Sequence, residues 1–153
     1  MRVLGIDYGE RRIGLALSDA TGLLASPWKT IAHDGRLETA VDRLLGEVRL
    51  LAQEADGLSA LVIGFPRRLS GEPTGLTERV QTLTTRLREA AGVPVVLQDE
   101  RLTSREAEEV LARRERDWRR RKARLDAMAA TIVLQDYLDS LDRHAGAADR
   151  DAS

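Results

Sequence analysis

The chain has 153 residues, a net charge of −1, 42% hydrophobic residues and 32% charged residues, as is typical of one globular domain with a buried core. It has no cysteine and only two histidines, which excludes disulfides and thiolate metal sites and disfavours a histidine-rich zinc site. Only five residues are aromatic, so the core must be aliphatic and a base-stacking platform is disfavoured. Without a membrane-length apolar run or a visible signal peptide, we expect a cytoplasmic protein that does not bind membranes.

The first third of the chain predicts three short strands followed by a long helix. Strands over Arg2–Asp7, Ile13–Ser18 and Leu23–Ile31 are joined by short turns, as in an antiparallel meander. Gly9 in the first turn is able to take a positive φ. After Asp34-Gly35, apolar residues recur at spacings of three and four, which predicts an amphipathic helix. Its apolar face consists of Leu37, Val41, Leu44, Val48, Leu51 and Ala55.

The rest of the chain alternates buried strands with helices. Ala60–Gly64 and Val93–Leu97 are short apolar runs, typical of strands that are covered on both faces. Between them lie an irregular loop, Pro66–Gly75, and a helix. The spacing of Thr103–Glu106 matches a capping box and predicts the start of another helix. The last helix is predicted over Asp126–Leu141, and its apolar face consists of Ala127, Ala130, Leu134, Leu138 and Leu141.

This order of elements predicts an α/β fold. A meander that leads into β-α-β crossovers implies a mixed five-stranded sheet in the order 3-2-1-4-5, with strand 2 antiparallel to its neighbours and helices on both faces. The C-terminal ends of strands 1, 4 and 5 then lie at one edge of the sheet. That edge is where α/β proteins usually bind their ligands.

Acidic residues fall at the same predicted edge. Asp7 ends the first strand, Asp99 and Glu100 follow the fifth, and Asp126 opens the last helix. Carboxylates that converge in this way repel one another unless a cation lies between them. An all-oxygen ligand set selects Mg²⁺ or Mn²⁺, and two such ions would clamp a phosphodiester during hydrolysis. The pattern therefore predicts a nuclease with two bound ions.

Each acid also has a purely structural interpretation. Asp7 could cap the hairpin turn, and Asp126 could be the N-cap of its helix. Asp99 and Glu100 could be solvated loop charges. For Asp19, which follows the second strand, we favour a role in the turn.

Four segments in this order resemble the YqgF family, also called RuvX, of Holliday-junction-resolvase-like proteins. They are GIDYGERRIGLALSD at Gly5–Asp19, LVIGFP at Leu61–Pro66, DERLTSREAE at Asp99–Glu108 and LDAMAATIVLQDYLD at Leu125–Asp139. The resemblance implies a ribonuclease-H-like fold of the RuvC type and a divalent-metal-dependent nuclease that acts on Holliday junctions or on the 5′ end of precursor 16S rRNA. We assign this domain to residues 1–142 and expect residues 143–153, which lack periodicity, to be a disordered tail.

By position in the motifs, Asp7, Glu100 and Asp126 match the catalytic acids of the family. The resemblance implies that Asp7 bridges two Mg²⁺ or Mn²⁺ ions, while Glu100 and Asp126 each complete one coordination shell. Asp99 is an additional candidate for a metal ligand. Thr103 and Ser104 are better explained as helix caps.

Basic residues supply the candidate contacts to nucleic acid. Arg12 and Arg101 lie close in sequence to the acids, and Arg67 and Arg68 stand where family members often carry an Asn and an Asp-Gly. Arg113–Arg124 contains eight basic and two acidic residues, and it is either a solvated stretch or a phosphate-binding arm. The candidate contacts within it are Arg119, Arg120, Arg121, Lys122 and Arg124, with Trp118 placed to stack on a base.

Two other classes of function compete with the nuclease. The pattern Gly5-Ile6-Asp7-x-Gly9 also opens sugar kinases and actin-like ATPases, but those need a second domain for which 153 residues leave no room. The other alternative is a non-catalytic factor that binds junctions or assists ribosome assembly, and the retained acids disfavour it. For the nuclease, the partner is branched DNA or precursor rRNA, bound by a monomer or a homodimer.

Overall fold

A computed structural model of the chain describes residues 1–65, 75–99 and 127–141. The strands are β1 (Arg2–Tyr8), β2 (Arg12–Ser18), β3 (Ala25–Ala32), β4 (Leu58–Phe65) and β5 (Val95–Asp99). The helices are α1 (Leu37–Gln53), α2 (Gly75–Ala90) and a helix over residues 127–141. The loop 66–74, the helix predicted after Thr103 and the tail predicted over 143–153 lie outside the described residues. No helix within the described ranges is long and apolar enough to span a bilayer.

The strands form one mixed sheet in the predicted order, β3-β2-β1-β4-β5. β2 pairs antiparallel with both β1 and β3, whereas β1 pairs parallel with β4 and β4 parallel with β5. The predicted α/β sheet is therefore confirmed. Because β1, β4 and β5 run in the same direction, their C-terminal ends share one edge. We call it the carboxyl edge and define it by Asp7, Phe65 and Asp99.

Helices cover both faces of the sheet, as predicted. Leu4 and Ile6 of β1 belong to the larger core, which includes the buried residues of α1 and α2. Val3 belongs to a smaller core that contains four buried residues of helix 127–141, Ala130, Val133, Leu134 and Leu138. Side chains alternate between the faces along a strand, so Gly5 and Asp7 share the face of Val3. Asp7 is therefore on the face that helix 127–141 covers.

Gly5 allows helix 127–141 to approach β1 closely. A Cβ built on Gly5 would lie 2.8 Å from the Leu134 Cβ and 3.0 Å from the Ala130 carbonyl oxygen. Both distances are shorter than ordinary van der Waals contact, so any larger residue would push the helix away from the sheet.

The helix runs antiparallel to β1. Gln135 Oε1 accepts a hydrogen bond from the Ala25 N–H at 2.8 Å, and Ala25 pairs with Ser18 at the sheet edge opposite the carboxyl edge. Ala130 contacts β1 further along, at Gly5. The end of the helix that begins at Ala127 therefore points toward the carboxyl edge.

The predicted apolar faces of the helices are mostly buried. In α1 the predicted positions between residues 41 and 51 are buried, but Ala55 lies beyond the end of the helix. In helix 127–141 the predicted face is buried apart from Leu141, which is 48% exposed in the last described turn. β5 begins at Val95 instead of Val93, and the carbonyl of Pro94 accepts the Leu61 N–H at 2.9 Å just ahead of it.

Asp19 builds the turn between β2 and β3. Its carboxylate accepts the backbone N–H groups of Leu23 at 3.0 Å and Leu24 at 3.2 Å, and the Thr21 hydroxyl donates to it as well. The turn role predicted for Asp19 is confirmed. Because these N–H groups bond to Asp19, β3 starts at Ala25 and not at Leu23 as predicted.

We expect the contribution of Asp19 to stability to depend on pH. The hydrogen bond from Thr21, followed by those from the backbone, holds the pKa of Asp19 below its ordinary value. A carboxyl group with a depressed pKa stabilises the fold above its unfolded pKa of about 3.9, and this stability is lost as the pH falls through the folded-state pKa. Thermal unfolding of Asp19→Asn should thus show a lower Tm than wild type at pH 6, with a gap that narrows toward pH 3. A gap independent of pH would contradict this account.

Gly5→Ala should destabilise the fold, because the added methyl group meets the backbone of helix 127–141. Overpacking of this kind costs about 1–3 kcal/mol of unfolding free energy, which urea denaturation would measure. Gly46→Ala is the matched control, since nothing lies within 4 Å of a Cβ added there in α1. It should be neutral or stabilising, because alanine favours helix by up to about 1 kcal/mol over glycine. Equal effects of the two substitutions would contradict the close approach at Gly5.

Candidate active site

Asp7 lies near the C-terminal end of β1, with a half-buried side chain. It pairs in register with Gly14 of β2. On the other side, Ile6 pairs with Ile63 of β4, which in turn pairs with Leu97 of β5. Asp7 is therefore one residue beyond a continuous row of apolar side chains. The sheet thus holds the backbone of Asp7 rigidly at the edge where α/β folds bind ligands.

The turn beyond Asp7 requires glycine because of a close backbone approach. Gly9 does not use the positive φ that is open to glycine, since it is not among the described glycines that adopt one. Instead, the Gly9 N–H donates to the Arg12 carbonyl at 2.9 Å, and a Cβ on Gly9 would lie 2.6 Å from that oxygen. This contact closes the β1–β2 hairpin and extends both strands by one residue relative to the prediction, to Tyr8 and Arg12.

A buried histidine supports the same turn. His33 Nε2 lies 2.7 Å from the Gly9 carbonyl oxygen, and the His33 backbone N–H donates to the Arg11 carbonyl at 3.0 Å. The Gly35 N–H donates to His33 Nδ1 at 3.1 Å. Since Nδ1 accepts a hydrogen bond, the proton lies on Nε2, which donates to Gly9. Sequence analysis gave His33 no role, and the only signal was its position just before the Asp34-Gly35 turn.

Tyr8 and Arg79 pack around this histidine. The Tyr8 ring stacks on the His33 ring at a centroid distance of 5.5 Å and an interplanar angle of 28°. Arg79 of α2 donates to the Gly35 carbonyl, and its Cζ lies 5.9 Å from the centroid of the Tyr8 ring. We call Tyr8, His33, Gly35 and Arg79 the turn-support cluster. It lies on the α1–α2 side of the sheet and connects α2 to the turn that follows Asp7.

Among the residues predicted to contact phosphate, Arg12 is the one that lies within the described ranges. It begins β2 with a half-buried side chain. The next residue, Ile13, belongs to the larger core, so alternation puts Arg12 on the opposite face, together with Asp7. Because Asp7 pairs with Gly14, Arg12 is its diagonal neighbour across the hairpin.

Asp99 is the last residue of β5 and is exposed. It pairs with Phe65 of β4, which confirms that an acid ends this strand at the carboxyl edge. Val95 and Leu97 pack against the larger core, so alternation assigns Asp99 to that face and not to the face of Asp7. The role of Asp99 as a metal ligand stays a prediction.

The other predicted site residues lie outside the described ranges: Glu100, Asp126, Arg67, Arg68, Arg101, Trp118, Arg119, Arg120, Arg121, Lys122 and Arg124. Within the described ranges, no three His, Cys, Asp or Glu side chains come together as a metal-binding group. Two described elements nevertheless border Glu100 and Asp126 in the sequence. β5 stops at Asp99, directly before Glu100, and the described helix starts at Ala127, directly after Asp126.

Comparison with known sequences identifies close relatives over nearly the whole chain. Residues 1–140 match the sequence profile of the RuvX family, which is described as Holliday junction resolvase. A Syntrophus aciditrophicus protein named "Putative pre-16S rRNA nuclease" is 40% identical, over 92% of this chain and 90% of its own. Proteins of the same name from Roseiflexus sp. and Geobacillus kaustophilus are 41% and 37% identical, over 91% and 92% of this chain and 94% and 99% of their own.

Solved structures share the fold at low sequence identity. Thermus thermophilus RuvC in complex with a Holliday junction substrate is similar with a TM-score of 0.53 and 19% identity, over 92% of this chain and 94% of that one. Thermus thermophilus RuvC is also similar, with a TM-score of 0.52 and 16% identity, over 92% of this chain and 95% of that one. The ribonuclease-H-like fold of the RuvC type is thus confirmed, and the sequence matches show that the chain belongs to the RuvX family of nucleases.

Proposed function

We propose that this chain is a divalent-metal-dependent nuclease that hydrolyses phosphodiester bonds in structured nucleic acid, with Asp7 as the central metal ligand. The observation that carries the proposal is the placement of Asp7. Asp7 is half-buried at the carboxyl edge, on the face covered by helix 127–141. A carboxylate taken partly out of water is costly unless a cation or hydrogen-bond donors compensate its charge.

The described backbone supports Glu100 and Asp126 as the partners of Asp7. Asp99 belongs to the far face, so continued alternation would assign residue 100 to the face of Asp7. β5 is two strands away from β1 in the sheet, a separation of about 10 Å. Two carboxylate side chains with a pair of ions about 4 Å apart can bridge that distance. The helix that follows Asp126 points its first described residue, Ala127, toward the same edge.

The donor set fits Mg²⁺ or Mn²⁺, because Asp7, Glu100 and Asp126 offer only oxygen ligands. When bound, two such ions supply Lewis acidity at both the attacking and the leaving oxygen of the phosphodiester. The chain itself contributes a rigid scaffold, since Asp7 lies within a five-stranded sheet. Arg12, the diagonal neighbour of Asp7 across the hairpin, would contact a substrate phosphate or steady the carboxylates.

Two classes of substrate fit this proposal. The description of the family favours a four-way DNA junction, and the name of the relatives favours precursor 16S rRNA. Both present the same phosphodiester to the same carboxylates. A resolvase that cuts two strands symmetrically would need a twofold dimer, whereas an rRNA nuclease could act as a monomer. We expect either activity in the cytoplasm.

Asp7→Asn should abolish metal-dependent cleavage while preserving the fold. Asparagine keeps the shape of the side chain but removes the charge that binds the ions. Because losing an outer-shell partner of a metal costs about 10–100-fold, loss of the central ligand should lower kcat by more than about 100-fold. The assay would compare a four-way junction with precursor 16S rRNA in Mg²⁺, in Mn²⁺ and in EDTA.

The matched control is Asp56→Asn, which makes the same chemical change at an exposed site in the turn before β4, at the opposite sheet edge. It should cleave like wild type, and both variants should unfold cooperatively. Full activity of Asp7→Asn would overturn the metal-ligand role. If wild type binds both substrates but cleaves neither with either ion, the chain is a binding factor and not a nuclease.

Replacing Arg119, Arg120, Arg121, Lys122 and Arg124 by alanine should weaken nucleic-acid binding and its dependence on salt. Each lost phosphate contact reduces the slope of log K against log salt by about 0.9 on duplex DNA. Fluorescence anisotropy between 50 and 200 mM salt would measure the slope. Arg49→Ala, an exposed arginine of α1, is the control and should leave the slope unchanged. An unchanged slope in the alanine variant would show that this segment is only a solvated charged stretch.

A further inference from the structure

We propose that His33 is a positioning residue for the metal site, because it fixes the β1–β2 turn that directly follows Asp7. The inference rests on the proposed nuclease function. His33 contacts neither Asp7 nor Arg12 through any described hydrogen bond of its side chain. It acts on the backbone of the turn that joins them.

The turn consists of residues 9–11, and His33 binds a backbone carbonyl at each of its ends. The imidazole Nε2 donates to the Gly9 carbonyl at 2.7 Å, and the His33 N–H donates to the Arg11 carbonyl at 3.0 Å. The side chains of Glu10 and Arg11 are exposed, so they do not anchor the turn in the core. Gly9 by itself restrains the backbone little, since glycine adopts many conformations.

The imidazole is itself held in one orientation. It is 9% exposed and stacks on Tyr8, the residue after Asp7. The Gly35 N–H donates to Nδ1, which requires a neutral ring with its proton on Nε2. Gly35 has a φ of +92°, a conformation that favours glycine, and Arg79 binds its carbonyl. A chain of hydrogen bonds therefore leads from α2 through Gly35 and His33 to the turn.

This arrangement matters because metal ligands must be held accurately. Catalytic geometry generally tolerates deviations of only about 0.5 Å, and a displacement of about 1 Å can cost roughly 100-fold in rate. The turn covalently connects Asp7 to Arg12, so movement of its backbone would shift both. His33 is thus expected to affect kcat and metal dependence more than substrate binding.

Two substitutions separate this role from general packing. Both His33→Gln and His33→Asn remove the ring that stacks on Tyr8. Glutamine can place an amide N–H at the position of Nε2 and so keep the bond to Gly9. Asparagine can place its oxygen at the position of Nδ1, which keeps the bond to Gly35 and loses the one to Gly9. The pair therefore separates the hydrogen bond to Gly9, which only glutamine can keep, from the hydrogen bond to Gly35, which only asparagine can keep.

His33→Asn should lower kcat by about 10–100-fold, raise the Mn²⁺ concentration needed for half-maximal cleavage and leave KM nearly unchanged. His33→Gln should stay close to wild type in all three measurements. Hydrogen exchange offers a readout independent of activity, since the Gly9 amide should exchange faster in His33→Asn than in His33→Gln. All measurements should be made well below the Tm of each variant.

Arg43→Ala is the matched control, because Arg43 donates to the Ala32 carbonyl at 2.9 Å, next to His33, and has no described hydrogen bond to the turn. It should keep wild-type kcat and metal dependence. The proposal is overturned if His33→Asn cleaves like wild type, or if His33→Asn and His33→Gln are equally impaired while folded. Failure of the nuclease function itself would show separately, as wild type that binds both substrates but cleaves neither, and cleavage that survives in Asp7→Asn would overturn only the metal-ligand role of Asp7.

Discussion

The close packing of helix 127–141 against β1 is the constraint on which the candidate site depends. At Gly5 the helix backbone is so near the strand that a single added carbon would collide with Ala130 and Leu134. This contact fixes the direction of the helix and the height of its first turn over the sheet. It therefore also fixes how far Ala127, the first described residue of the helix, lies from Asp7, which is two residues beyond Gly5 in β1. A metal site built from both elements needs that distance to be constant.

The opposite face of the sheet provides a second restraint on the same strand. The larger core holds β1 through Leu4 and Ile6, and the turn-support cluster continues this contact to the end of the strand through Tyr8. Asp7 thus lies between two packed layers, with its backbone in the sheet and its side chain on the less crowded face. Rigid support from both layers is what a multi-ion metal site requires, because its ligands must not move when charge changes.

Asp7, Asp19 and Asp34 occupy two kinds of position, in a strand of the sheet and in loops. Asp19 and Asp34 are described acids that stabilise loops. The Thr21 hydroxyl and then backbone N–H groups hold the pKa of Asp19 below its ordinary value, and the Arg36 N–H has the same effect on the pKa of Asp34. Asp7 differs in position, because it lies within a regular strand and pairs in register with Gly14 of β2. Its surroundings are therefore set by the sheet and not by a loop.

The sequence alone determined the sheet order, the three described helices and the position of Asp7 near the end of a strand, because apolar periodicity and strand alternation are local signals. It also determined the family, because four motifs retain their order. It did not show why Gly9 is needed, because that need comes from a close approach to the Arg12 carbonyl and not from φ. It also missed His33, since a histidine that binds a turn 24 residues away leaves no local pattern. Those contacts were decided only by the tertiary structure, which brings distant backbone groups within hydrogen-bonding distance.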